Sequence, residues 1–143
     1  MSAATAPVRV DSVTPLHVLG EEFRPLVDGA AFEIFDVRAP IDSGPPPHAH
    51  PWDEAYVVLD GELAVQRGDE QLVLCAGQAV HVRANDLHAY RVLSPQAHFL
   101  TITSPSGAGA FFADMDAHVT LPPDLPTMAA VAQRHQLVSP LFG

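Results

Sequence analysis

From Leu16 to Pro105 turn residues punctuate the chain about every eight to twelve positions, with short apolar and β-branched runs between them. That rhythm predicts an all-β sandwich or barrel. LHVLGEEFRPLV reads as two short strands about Gly20, and AAFEIFDVRAP as a strand with apolar residues on both faces. GELAVQRGDEQLVL is a hairpin with Arg67-Gly68-Asp69-Glu70 at its tip. GQAVHVRANDLHAYRVL adds two strands and residues 97–104 the last one. No period of 20–50 residues recurs, which excludes a repeat architecture. The predicted layout is an N-terminal arm over 1–15, a barrel over 16–105 and a helical tail over 106–143. In the tail, Phe111, Phe112 and Met115 define one apolar helix face, and Met128, Val131 and Ala132 a second. These helices are expected to cap a side or mouth of the barrel, or to pack across a dimer interface. They read as a stabilising tail rather than a catalytic lid.

The stretch Gly44–Gly61, GPPPHAHPWDEAYVVLDG, is where chemistry is expected. Pro45-Pro46-Pro47 stiffens an extended approach, which limits the entropy lost on fixing the next residues. If the chain stays extended, His48, His50 and Glu54 share one face, since side chains alternate with period two. Imidazole nitrogen and carboxylate oxygen are ligands for a divalent first-row metal. Tyr56 to Leu59 then reads as strand interior and Asp60-Gly61 as a turn. His88, opening a later strand, is placed to join as a fourth donor.

His48, His50, Glu54 and Gly61 form H-x-H-x3-E-x6-G, which resembles the first signature motif of the cupins. Gly77 with His88 eleven residues later resembles the second. The resemblance implies a small cupin β-barrel (jelly roll, or double-stranded β-helix) with short C-terminal helices. It further implies that His48, His50, Glu54 and His88 bind one metal inside it. Three departures stand out. Only three residues separate Gly44 from His48, where the family usually has five. Arg83 and Asn85 replace the usual Pro and Gly, and Val92 the closing Asn. Asn85 can still take the left-handed turn that Gly would provide.

Charge and composition narrow the function. The net charge is −10, all seven basic residues are arginine and lysine is absent, which excludes a Schiff-base lysine. An acidic chain without a basic patch argues against nucleic acid and anionic membranes as partners. Single Cys75 excludes an internal disulfide and is expected to be a small buried hydrophobe. The first residues carry no apolar leader and no stretch is long enough to span a bilayer, so a cytoplasmic protein is expected. His17, His118 and His135 have no partner in sequence and read as surface residues.

Around the metal, Trp52, Tyr56, Val58, His81, His98 and Leu100 are candidate pocket residues, with Val80 a further apolar one. Three classes of activity follow. The favoured one is a dioxygenase similar to the single-domain quercetinase-like cupins, acting on an aromatic or hydrophobic enol or flavonol-like substrate. The resemblance makes Glu54 both ligand and catalytic base. The second is redox-neutral isomerisation, cyclisation or lyase chemistry with the metal as Lewis acid. The third is a non-catalytic small-molecule-binding module. The cofactor expected is one divalent transition metal per chain (Fe, Ni, Mn, Zn or Cu). The partners expected are a small-molecule substrate and a second copy in a homodimer, because exposed strand edges invite pairing.

Overall fold

The computed structural model describes residues 6–142. Residues 1–5 of the expected N-terminal arm lie outside the described residues, and residues 10–12 of it form one 3-10 turn. Nine strands follow: β1 (Leu16–Val18), β2 (Glu21–Asp28), β3 (Glu33–Pro40), β4 (Asp53–Asp60), β5 (Glu62–Arg67), β6 (Glu70–Cys75), β7 (Ala79–Val82), β8 (His88–Val92) and β9 (Gln96–Ser104). They form an antiparallel six-stranded sheet in the order β1-β2-β3-β9-β4-β7 and a three-stranded sheet in the order β6-β5-β8. The fold is an all-β jelly roll of two antiparallel sheets with two short helices.

Alternation decides what faces inward. In β9, Ala97, Phe99, Thr101 and Thr103 are buried while the residues between them are half-buried. In β4 the inward set is Glu54, Tyr56 and Val58. β5 and β8 answer with Leu63, Val65, Tyr90 and Val92, and the core fills the space between the sheets. Turn glycines set the register. A Cβ on Gly44 (φ +150°) would lie 1.8 Å from the Tyr90 carbonyl oxygen, so only glycine lets this loop lie against β8. Gly61 (φ +88°) makes a similar approach to Gln96 at the β4–β5 turn.

The tail folds back as α1 (Ala108–His118) and α2 (Leu125–Arg134). Glu33 of β3 holds the start of α1, accepting from the N–H groups of Gly107 and Gly109. Phe112 then inserts between Phe23 (4.3 Å between ring centroids) and Phe35 (5.0 Å, edge-on). Asp124 caps α2 by accepting from the Thr127 N–H at 3.2 Å. Met128, Val131 and Ala132 are its buried face, at the spacing expected from sequence. No described helix is long and apolar enough to cross a membrane.

One expectation fails outright. Cys75 is exposed, because Leu74 takes the inward position at the end of β6 and alternation turns its neighbour out. His135 is also less of a surface residue than its sequence context suggests: it is half-buried against Phe111 and bonded to Asp114.

Candidate metal centre

The histidines do not lie on β4 itself. A bend at Pro51-Trp52 separates His48 and His50 from the strand, which begins at Asp53. The segment is held on both sides by main chain instead. His48 and His88 exchange backbone hydrogen bonds of 3.0 and 2.9 Å, and Ala49 exchanges another pair with Val138 near the C-terminus. Asn85, at φ +68°, donates its N–H to the His50 carbonyl at 2.7 Å. The main-chain groups of His48 and Ala49 and the His50 carbonyl are thereby paired, which is what permits this irregular stretch to be buried.

Each ring is then oriented by a carbonyl. The Nδ1–H groups of His48, His50 and His88 donate to the carbonyls of Pro46 (2.8 Å), Trp52 (3.0 Å) and Asp86 (2.8 Å). Because those acceptors commit Nδ1, the three Nε2 atoms point inward. The ligand atoms of these histidines lie within 4.8 Å of one another. Glu54 Oε2 stands 3.1 Å from His50 Nε2, 3.0 Å from His88 Nε2 and 3.1 Å from the Tyr56 hydroxyl, which donates to it. Metal–ligand bonds of about 2.1 Å at right angles would put neighbouring donors about 3 Å apart. The residues therefore fit a divalent transition metal, with nitrogen and oxygen donors already converged and their outer hydrogen bonds in place.

The electrostatics match. Burial opposes ionisation of Glu54, yet His50 and His88, whose Nε2 atoms donate to it when the rings are protonated and carry a positive charge, outweigh it and hold the carboxyl well below its usual range. Burial, aided by the charge of His88, lowers His48 to about 4, which leaves it a neutral imidazole at neutral pH. Burial and the adjacent Glu54 push the Tyr56 hydroxyl well above 10.

The centre opens on a cavity of about 80 Å³. His48, Glu54 and Tyr56 lie at one end, with Phe23, Phe112 and Met115 among the apolar walls. Both helices contribute to those walls, so the tail lines the cavity as well as packing on the barrel. Of the candidate pocket residues, only Tyr56 lines this space. Trp52 is buried and stacks on His50 (4.4 Å, 14° between planes), behind the centre. Val58 is buried in the core deeper along β4. Leu100 lies between Phe99 and Thr101 and faces the other side of the sheet. Val80 packs against the core from β7. His81, between Val80 and Val82, points outward and is bonded to Asp53 at 3.1 Å, with more than half its side chain exposed. His98 is outside too, paired with Asp36.

The sequence reading missed Glu21 and Tyr90, both buried and both lining the cavity. A signal existed: Glu21 has the parity of Phe23 in EEF, an acid on the apolar face of a strand.

Residues 36–103 match the cupin domain family model, which with the two facing sheets identifies a cupin fold. Nothing among curated proteins matches the sequence. Among solved structures, an RmlC-like cupin from Shewanella frigidimarina is 17% identical with TM-score 0.67, covering 74% of this chain and 96% of its own. The polyketide cyclase RemF from Streptomyces resistomycificus is 19% identical with TM-score 0.63, covering 72% and 81%. A predicted oxalate decarboxylase from Thermotoga maritima is 18% identical with TM-score 0.62, covering 69% and 98%. At such identities the likeness is one of fold.

Proposed function

We propose that this chain is a metal-dependent enzyme acting on a small, largely apolar molecule with an enol or enolisable oxygen. The observation that carries the reading is the converged donor set of His48, His50, His88 and Glu54, of which His48 and Glu54 line a largely apolar cavity. A bound divalent metal would supply a Lewis-acidic centre with open coordination positions, suited to dioxygen chemistry or to polarising the substrate oxygen. The chain supplies the rest. Tyr56 orients Glu54 by its hydrogen bond, and α1 and α2 line the cavity with apolar side chains that lower the polarity around the donors and strengthen their interactions.

Size narrows the substrate. About 80 Å³ is roughly half the ~150 Å³ cavity that holds benzene in an engineered core. That volume favours a small enol over a flavonol as the occupant. With that occupant the dioxygenase reading stands on the donor set. The redox-neutral reading (isomerase, cyclase or lyase) is favoured by a different observation, a second carboxyl on the cavity wall at Glu21.

Metal analysis of freshly purified protein, followed by turnover of small enols in air and under nitrogen, separates them. Oxygen consumed in step with substrate supports the dioxygenase, and conversion unchanged under nitrogen the redox-neutral enzyme. Saturable binding without conversion in either atmosphere leaves only a binding module. Glu54→Gln keeps an oxygen donor and should retain some metal while losing about 100-fold or more of turnover, the usual contribution of a positioned proton-transfer group. A variant as active as the parent leaves Glu54 a ligand alone.

A further inference from the structure

Glu21 is the first residue of β2, turned inward by the Leu19-Gly20 turn (φ +50° and +85°). It is 3% exposed, whereas the side chain of neighbouring Glu22 is 41% exposed. Its Oε1 accepts the Tyr90 hydroxyl at 2.7 Å and its Oε2 the Ser43 hydroxyl at 3.3 Å. The other titratable groups lining the cavity are His48 and Glu54, with Tyr56 and Tyr90, and no arginine lines it. From α1, α2 and the C-terminal segment the walls carry apolar groups and the Ser139 hydroxyl only. Burial, only partly offset by the two hydrogen bonds, raises Glu21 to about 7.

A carboxyl buried without a cation is costly. If its purpose were only to anchor Tyr90, a glutamine would accept the same hydrogen bond without titrating. Glu21 also faces the metal-ligand end across a short path. The Tyr90 ring meets Tyr56 edge-on at 5.2 Å, and Tyr56 is bonded to Glu54. The two carboxyls of one cavity are thus in opposite environments: one held ionised among histidines, the other poised to gain or lose a proton. Such a division marks acid–base roles.

We propose that Glu21 is the proton-transfer residue of this cavity, acting on the carbon beside a small carbonyl group whose oxygen lies at the Glu54 end. As carboxylate it takes the proton from that carbon. The O–H bond forms as the C–H bond breaks, and the electron pair moves into the enolate. As neutral acid it returns a proton to the enolate, at the same carbon or at its neighbour. Nothing is oxidised or reduced. The proposal rests on the enzymatic reading above and narrows its substrates to small carbonyl compounds with an acidic C–H.

The test uses the metal-loaded full chain and hydroxyacetone as probe, following loss of its C–H signals in D2O by NMR as a function of pH. The parent should accelerate exchange, with a rate rising through about pH 7 as Glu21 ionises. Glu21→Gln should cut it by about 100-fold or more at unchanged metal content and abolish that rise. Tyr90→Phe removes a hydrogen bond that holds Glu21 down, so its midpoint should move to higher pH. A purely structural role predicts no such shift, and an unmoved midpoint overturns the proposal even if Glu21→Gln fails to fold. An active parent matched by Glu21→Gln overturns the role of Glu21 alone. A parent that binds metal but exchanges nothing overturns the role of Glu21, and the enzymatic reading falls with it only if the same protein also converts no small enol in air or under nitrogen.

Discussion

Two carboxylates in this molecule are bonded to a histidine four residues away, and they do opposite things. Glu54 follows His50, and Asp114 precedes His118. Each also gathers a distant histidine and one more donor: His88 and Tyr56 on Glu54, His135 and Arg134 on Asp114. Both are held well below the usual carboxylate range. The causes differ. Asp114 is lowered first by the Arg134 guanidinium and then by His135. With a permanent cation already in place and His118 more than half exposed, it is a closed ion cluster joining α1 to α2 at the surface. Glu54 is surrounded by groups without fixed charge, and its histidines present Nε2 because carbonyls hold their Nδ1 atoms. A cation can enter the arrangement around Glu54 and has no place in the cluster around Asp114. Equal spacing, then, carries little meaning until the outer hydrogen bonds are known.

The comparison can be broken most directly by metal. Changing His48, His50 and His88 together to alanine should abolish stoichiometric metal by elemental analysis. It should also remove the stabilisation that metal confers in urea melts, about 4 kcal/mol at free metal a thousandfold above Kd. Full occupancy in that variant, or loss of metal from Asp114→Asn, erases the distinction.

Glu21 sharpens the contrast: it stands four residues from His17 yet bonds Tyr90 and Ser43 rather than any histidine. Its folded-state value of about 7 lies above the ordinary 4.5, so folding takes up a proton between them. Stability on this account is greatest below 4.5 and is lost as pH rises through 7, by up to about 3 kcal/mol at 1.36 kcal/mol per unit. Denaturant midpoints at pH 5 and pH 8 should show the decline in the parent and not in Glu21→Gln. A parallel decline in both would place its origin elsewhere.

Asp114 should give the smallest effect. Its depressed value means that its stabilisation is present above about pH 4, near the ordinary value of 3.8, and is lost as the pH falls below that. Asp114→Asn should cost a little stability at low ionic strength and less in 1 M salt, where the Debye length is about 3 Å. A loss that persists undiminished in salt would show that the cluster acts through packing.

Much of the barrel was legible because its signals are local. Gly20, Asp60-Gly61 and Gly68 mark turns that glycine makes without strain, and alternation within β4 already placed Glu54, Tyr56 and Val58 on one face. The same alternation argues against His81, since Val80-His81-Val82 turns the histidine away from its two apolar neighbours. His48 and His50 were found by spacing, although a bend rather than continuous strand brings them to Glu54.

By itself the sequence determined the strand rhythm, the turns and the types of donor atom, since each depends on neighbours within a few residues. Only the tertiary structure decided which acids share the cavity. The Tyr90 hydroxyl meets Glu21 across 69 positions, His88 meets Glu54 across 34, and the Ala49–Val138 bridge brings the end of the chain against the histidines. It also decided the shape of the cavity, because α1 and α2 supply part of its wall. Burial and desolvation arise from what packs over a group, and no local pattern encodes what arrives from the far end of the chain.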